Sequence, residues 1–109
     1  MPAISVLVKI EFLSTLTRKT RSFELDRDSA RRVTHQFLTH LAGNCFAHLP
    51  VTDADYAQAW DWLKLSTTPM RSIDALHLAV AAANHIPLVT CDDALAQFAA
   101  RVSVDVIRL

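Results

Sequence analysis

One helical segment in the last third of the chain is apolar on almost every face. Residues 73–85 read IDALHLAVAAANH, and Ser72 in front of them is a suitable N-cap. A helix with apolar residues around nearly its whole circumference must be covered on more than one side. This burial is typical of folds in which helices pack in layers against a sheet.

Short apolar runs alternate with helical patterns along the rest of the chain. Strands are predicted at 4–7, 45–51, 87–90 and 102–107, and the other helices at 8–19, 29–41, 53–65 and 92–101. Thr52 and Asp55 form a T-x-x-D arrangement close to a capping box. A helix stop is predicted at 42–44 and a polar loop at 66–71. The alternation predicts an α/β fold with a parallel sheet, and 109 residues without repeats or linkers predict one domain.

Composition excludes several functional classes. A chain that is 51% hydrophobic and 20% charged is typical of a globular protein. Lys+Arg and Asp+Glu both total 11, so no net charge attracts nucleic acid or a membrane, although local patches can. Gly43 is the only glycine, so neither a GxGxxG loop nor a Walker-type phosphate loop can form. Any phosphate chemistry must therefore rest on side chains and metal.

The N-terminal sequence and the cysteines indicate where such a chain works. MPAISVLVKIEF lacks the basic region and long apolar core of a signal peptide, and no apolar stretch approaches about 18 residues. We therefore predict no signal peptide, no membrane span and a cytoplasmic location. Cys45 and Cys91 lie far apart without a CxxC motif, so both are predicted to be reduced, buried thiols.

Three carboxylates stand in apolar surroundings: Glu11, Asp74 and Asp92. Asp92 follows the predicted strand 87–90, at the end of a strand where α/β sheets place their sites. Each has an ordinary structural explanation. Asp74 could favour a helix N-terminus, Asp92 or its neighbour Asp93 could be an N-cap, and Glu11 could be solvated on a helix face. Taken together, carboxylates without His or Cys ligands favour a hard cation such as Mg²⁺ or Mn²⁺, which can activate water at a phosphodiester.

Several segments follow one family pattern. Residues 71–79 read RSIDALHLA, and residues 88–92 read LVTCD before a helix. Upstream, residues 4–19 bring Glu11 into a helix that ends in Arg18 and Lys19, and 104–107 form a closing strand. These segments resemble the PIN-domain family, particularly the VapC-like toxins of bacterial toxin–antitoxin pairs. The resemblance spans nearly the whole chain, and 71–79 with 88–92 is its most specific part.

The resemblance implies a three-layer α/β/α fold with a parallel sheet and a metal-dependent endoribonuclease activity. Glu11, Asp74 and Asp92 would bind Mg²⁺ or Mn²⁺, and the Thr90 hydroxyl would orient the site; these four are the candidate catalytic residues. Asp93 would be a capping residue or a supporting acid. A cognate antitoxin would hold the enzyme inactive, and the enzyme would be dimeric. Four cations are candidate contacts to RNA phosphates, with solvated helix-end charges as the alternative: Arg18, Lys19, Arg21 and Arg71.

One part of the family pattern has no counterpart in this sequence. Family members open with a central strand that ends in an Asp, followed by a helix or two, and we expect this chain to be truncated there at its N-terminus. An acidic quartet would become a trio, and the sheet would expose unpaired edges. Three explanations are open: a misplaced start codon, a strand supplied by a second copy, or a degenerate gene. We favour the second, in which the chain forms a homodimer or a strand-swapped oligomer. The alternative function is a catalytically impaired scaffold for interaction or self-association.

Histidine and aromatic residues offer weaker candidates. His35 and His40 lie five apart, on different helix faces, and no HExxH motif exists, so we expect surface or core histidines. Tyr56 and Trp60 lie four apart and are predicted to face the core, whereas Trp62 points elsewhere and is a candidate interface residue. Stacking on bases is the alternative role for these rings.

Overall fold

The computed structural model describes residues 2–43, 45–67 and 70–109. The helices are α1 (Val6–Arg21), α2 (Arg27–Ala42), α3 (Asp53–Leu65), α4 (Ser72–Ala83) and α5 (Asp93–Arg101). The strands are β1 (Ala3–Ser5), β2 (Ala47–Leu49), β3 (Leu88–Thr90) and β4 (Val106–Arg108). Strand β1 pairs in parallel with β2, and β3 pairs in parallel with β4. The predicted α/β class with parallel strand pairing is confirmed.

The chain forms two compact units, one ending at Leu49 and the other comprising Pro50–Leu109. We call them unit 1 and unit 2. Unit 1 contains β1, α1, α2 and β2, and unit 2 contains the remaining helices and strands. The single domain expected from the sequence stays a prediction. No helix among the described residues is both long enough and apolar enough to cross a membrane.

In unit 1, strand β1 passes directly into α1 through a buried serine. Ser5 pairs with Leu49 in the parallel register and is 6% exposed. The Ser5 Oγ accepts a hydrogen bond from the Leu7 amide at 3.2 Å, which satisfies one of the unpaired donors at the helix start. The strand end and the first turn of α1 are therefore held together by one side chain.

Helix α2 packs against α1 without burying any of its sixteen residues, all of which the structure describes. Asp26 caps it by accepting a hydrogen bond from the Ser29 amide at 2.7 Å. The rings of Phe12 and Phe37 stack with their centroids 4.0 Å apart and join the two helices. Leu16 is buried on α1, but the rest of this helix pair leaves much of its apolar surface exposed.

The core of unit 2 forms around α4. Five consecutive or near-consecutive positions of this helix are buried: Ala75, Leu78, Ala79, Val80 and Ala81. Residues of α3 and α5 complete the cluster, among them Trp62, Leu95 and Phe98. This confirms that the most apolar helix is covered on more than one side.

Helix α3 begins where its capping residues predicted. The Thr52 Oγ1 accepts a hydrogen bond from the Asp55 amide at 3.3 Å, and the Asp55 carboxylate accepts one from the Thr52 amide at 2.9 Å. The capping box is complete, and Asp55 is only 4% exposed. The carboxylate is tolerated in this buried position because it satisfies a backbone donor.

The face on which α3 packs differs from the prediction. Tyr56 and Trp60 are 53% and 67% exposed, whereas Trp62 is 8% exposed and meets Phe98 edge-on with centroids 6.2 Å apart. The predicted core role of Tyr56 and Trp60 is therefore wrong, and so is the interface role of Trp62. The buried face contains Ala59, whose small side chain allows α3 to approach α4 closely.

Other local predictions also need correction. Ser72 is the first residue of α4, and the N-cap is Arg71, which makes no side-chain capping bond. Cys45 and Cys91 are exposed free thiols instead of buried ones, because both lie in connections beside short strands. Strand β4 starts later than predicted, since Ser103 turns the chain with a φ of 62° before it. Asn44 of the predicted helix stop and Thr68 and Pro69 of the predicted loop lie outside the described residues.

Candidate active site

The carboxyl end of β3 leads straight into α5 through a threonine and an aspartate. Thr90 is the last residue of β3, and its Oγ1 accepts a hydrogen bond from the Asp92 amide at 3.1 Å. Asp92 is the N-cap of α5, and its Oδ1 accepts a hydrogen bond from the Leu95 amide at 3.1 Å. The capping explanation thus holds for Asp92 and not for Asp93. The capping hydrogen bond uses one carboxylate oxygen of Asp92, an exposed residue that lies just beyond the end of β3.

Asp93 instead forms an ion pair with a residue of the last strand. The parallel register places Arg108 opposite Thr90. The Asp93 Oδ1 lies 2.8 Å from both the Nε and the Nη2 of Arg108. This hydrogen bond, with the charge of Arg108, lowers the pKa of Asp93 from its ordinary value and raises that of Arg108. Asp93 therefore ties α5 to the end of β4.

This ion pair predicts an acid-dependent contribution to stability. Because the pKa of Asp93 is lower in the folded chain, its contribution is present above the unfolded value of 3.8 and is lost as the pH falls through the folded pKa. In Arg108→Gln, we expect the pKa of Asp93 to rise towards 3.8. The free energy of unfolding of this variant should be lower than that of the parent at neutral pH and equal to it in strong acid.

NMR titration of the Asp93 carboxyl carbon measures its pKa, and denaturant unfolding at several pH values measures the free energy of unfolding. Since both side chains are solvent-accessible, the effect on stability should be small and should weaken further in high salt. A stability difference that stays constant from neutral to strongly acidic pH would show that Arg108 acts by packing alone.

Asp74 lies in the first turn of α4, with a side chain that is only 15% exposed. The Nε of Arg71, whose side chain is 79% exposed, lies 3.4 Å from the Asp74 Oδ2. A short connection joins the end of α4 to the start of β3. In layered α/β folds such a helix usually runs antiparallel to the strand that follows it, so we expect Asp74 to lie towards the carboxyl end of β3, the end that Asp92 follows.

Glu11, the third candidate carboxylate, lies in unit 1. It lies in the second turn of α1, directly after β1, and is half-buried. Arg18, Lys19 and Arg21 occupy the last turn of the same helix, where cations interact favourably with the helix dipole. Lys19 forms an exposed ion pair with Glu24 at 3.3 Å. Of the four candidate RNA contacts, Lys19 and Arg71 thus have a carboxylate partner.

The three candidate carboxylates have the ligand chemistry that a hard cation prefers. Glu11, Asp74 and Asp92 offer oxygen ligands only, and magnesium needs one or two carboxylates because it keeps several waters. Low exposure of the Asp74 side chain favours ion binding, since a partly desolvated carboxylate interacts more strongly with a cation. In the part of the chain that the structure describes, no three His, Cys, Asp or Glu residues gather as a metal-binding group. The three-carboxylate site stays a prediction.

Fold and sequence now define the class of protein. It is an α/β protein with parallel strands, and Asp92 follows the carboxyl end of β3, the usual place for the site of such a fold. The family model of the PIN domain matches residues 2–101, which cover most of both units, so the chain belongs to the PIN-domain family. No curated protein and no solved structure matches the chain.

PIN domains are generally nucleases, typically dependent on divalent metal ions, and PIN nucleases bind RNA. The resemblance found in segments 71–79 and 88–92 is thereby confirmed at the level of the family. The VapC-like subtype and the truncated N-terminus stay predictions.

Arg108 is the residue near this site that sequence reasoning missed. It is the last residue of β4 and is joined by its ion pair to the first residue of α5. The available signal was a basic residue at the end of the closing apolar run, which a parallel register would bring beside Thr90. The predicted strand ended at residue 107, one residue too early to include it.

Proposed function

We propose that this PIN domain is a metal-dependent endoribonuclease of the VapC-like toxin type that hydrolyses RNA phosphodiester bonds. The observation that carries the proposal is the arrangement at the strand ends of unit 2. There Thr90 fixes the backbone of Asp92 just after β3. Asp74, in the first turn of α4, has a side chain of low exposure and is expected on the same side. Family membership supplies the expectation of nuclease chemistry at these residues.

Glu11, Asp74 and Asp92 are the residues that would hold Mg²⁺ or Mn²⁺. When bound, such an ion lowers the pKa of an attacking water and neutralises charge on the phosphodiester. Thr90 contributes orientation, because its hydroxyl holds the Asp92 amide at 3.1 Å. The Asp92 carboxylate accepts a hydrogen bond from the Leu95 amide, so the backbone and the side chain of Asp92 are each held by one hydrogen bond.

Four basic residues are proposed to contact the RNA phosphates: Arg18, Lys19, Arg21 and Arg71. Arg71 is the best placed of them, since its exposed side chain already lies beside Asp74. A guanidinium there can donate to a phosphate oxygen while it remains near the carboxylate. Lys19 would have to leave its exposed partner Glu24, which costs little because surface ion pairs are weak.

The proposed partners are RNA, a cognate antitoxin protein and a second copy of the chain. Support for the second copy comes from the strands. Within the described residues, β1 pairs with β2 alone and β3 with β4 alone, so every strand leaves one edge unpaired. A pair of three-residue strands is marginal by itself, and open edges attract further strands. A homodimer or strand-swapped oligomer would satisfy these edges.

Cleavage of a mixed RNA pool by the purified chain tests the proposed activity. We expect cleavage with Mn²⁺ and none when the ion is removed with EDTA, since the chain's own carboxylates would hold the ion. The products should carry new ends inside the RNA, and RNAs with blocked termini should be cut as well. A folded chain that leaves the whole pool intact at every Mn²⁺ concentration would contradict the proposal.

The second candidate is a PIN-like scaffold that has little or no catalytic activity and serves interaction or self-association. It is favoured by one observation: the Asp92 carboxylate caps α5, a structural role that needs no ion. Thermal unfolding with and without Mn²⁺ separates the two functions. An ion that binds the folded chain raises its melting temperature, whereas a scaffold without a metal site shows no shift.

A further inference from the structure

An apolar groove runs between the two helices of unit 1. Its volume is about 860 Å³, and the floor is formed by leucines from α1, from α2 and from the turn between them. Leu13 and Leu16 come from α1, Leu38 comes from α2, and Leu25 comes from the turn. Such a groove between two helices has the shape that accepts the apolar face of a third helix.

Exposed apolar side chains extend the groove along α1. Val6, Ile10 and Leu13 are 56%, 63% and 56% exposed and follow one another at the spacing of a helix–helix contact stripe. Phe23, in the turn that lines the groove, is 94% exposed and has a φ of 60°. A phenylalanine with left-handed backbone angles and a solvent-exposed ring costs free energy, both through backbone strain and through exposed apolar surface. These residues form a surface that the other described elements of unit 1 leave uncovered.

The rim of the groove is basic. Arg21, Arg27 and Arg31 line it, against the single carboxylate of Asp26. Asp26 is engaged by the amide and the hydroxyl of Ser29, at 2.7 Å and 3.1 Å, and caps α2. Among the described residues, none of the three arginines forms an ion pair with a carboxylate. A helix that enters the groove should therefore have acidic residues beside its apolar face.

Helix α3 offers a surface of that kind. Tyr56 and Trp60 lie one turn apart and are 53% and 67% exposed. Asp53, three residues before Tyr56, shares their face, and Asp61 follows Trp60. Lys64 pairs with Asp61 at 3.6 Å and is the one cation of this helix, whose exposed charge is otherwise acidic. Large aromatic residues with acidic neighbours complement an apolar groove with a basic rim.

We infer that the α3 face of one copy, with Tyr56 and Trp60, docks into the α1–α2 groove of a second copy. We commit to a second copy as the occupant, since each copy carries both the apolar groove with its arginines and the aromatic helix with aspartates that complements such a groove. Two identical grooves facing each other would instead oppose their arginines, which like-charge repulsion disfavours. The contact involves neither a strand edge nor a metal, so it goes beyond the proposed nuclease function and stands independently of it.

Sedimentation velocity over a series of protein concentrations tests this contact. The parent should self-associate, and higher salt should weaken the association because part of the attraction is electrostatic. Trp60→Ala should weaken it by about 30-fold or more, the effect of removing a central aromatic anchor. Because Trp60 is two-thirds exposed in the single chain, this substitution leaves the core of unit 2 intact.

Charge reversal distinguishes docking from a loss of folding. Arg27→Glu with Arg31→Glu, and separately Asp53→Lys with Asp61→Lys, should each weaken association by about 10-fold or more. Arg32→Glu is the matched control, since Arg32 lies on α2 outside the groove lining and should change little. The chain that combines all four reversals should associate more tightly than either double variant, because opposite charges then face each other again.

Three results would overturn the inference. The first is a parent chain that remains monomeric at all concentrations, which would show that a second copy does not fill the groove. The second is an oligomer that withstands Trp60→Ala and both double reversals, as expected if strand edges hold it together. The third is a chain that carries all four charge reversals, is folded, and associates no more tightly than the two double variants.

Discussion

Replacement of Leu78 by Ala is expected to lower the free energy of unfolding by about 2–5 kcal/mol. Leu78 is 0% exposed and is the largest fully buried side chain among the described residues. It lies on α4 within the cluster that contains Trp62, Leu95 and Phe98. Alanine would leave a cavity that these rigid neighbours fill poorly, so the lost transfer energy is increased by lost packing. For a domain of this size, such a loss is a large part of the total stability.

The matched control is Leu65→Ala, at the end of α3. Leu65 is 74% exposed, so removal of the same atoms should change stability by less than about 0.5 kcal/mol. Denaturant unfolding at equilibrium measures both variants, with equal slopes showing that the unfolded states are comparable. If both substitutions cost the same, α4 does not form the core of unit 2.

Helix boundaries were predictable where the signal is local. The start of α3 follows from Thr52 and Asp55 alone, because a capping box satisfies two backbone donors within four residues. Burial of α4 was also predictable, since nearly every face of its sequence is apolar. Strand ends were less accurate, because three-residue strands are determined by pairing with distant residues.

The choice of the buried face of α3 was not predictable from side-chain size. Tyr56 and Trp60 formed the more conspicuous aromatic pair, yet the helix buries Ala59 and Trp62. Alanines on both helices, Ala59 and Ala75 among them, allow a closer approach and hence more contacts per residue. Which face of an amphipathic helix is buried depends on the shape of its partner, and a single sequence does not contain that shape explicitly.

The placement of the candidate residues on their elements was predictable for neighbours in the chain and not for distant pairs. Thr90 and Asp92 were placed correctly at the end of a strand, since the sequence joins them within three residues. The pairing of Asp93 with Arg108 was missed, because it depends on the register of β3 and β4 across fifteen residues. The sequence offered the cap of α5 to Asp92 or Asp93 without deciding between them, and the structure assigns it to Asp92, the same side chain that is predicted to be a ligand.

Asp92→Asn separates these two roles of the Asp92 side chain. Asparagine caps a helix about as well as aspartate, so the free energy of unfolding should change by less than about 0.5 kcal/mol. The carboxylate charge, by contrast, is lost. If Asp92 binds the ion as proposed, Mn²⁺-dependent RNA cleavage should fall by about 100-fold or more, with Asp74→Asn giving a loss of the same order. Single-turnover cleavage of one RNA cut by the parent measures both.

Asp93→Asn is the matched control for this pair of variants. It removes a neighbouring carboxylate and weakens the ion pair with Arg108, but it alters no proposed ligand. Cleavage should therefore remain within about threefold of the parent, although its stability at neutral pH should fall slightly. A fully active Asp92→Asn chain would assign Asp92 to the cap of α5 alone. Equal losses in Asp92→Asn and Asp93→Asn would instead show that the rate follows the total negative charge near the strand ends, and not ligands at defined positions.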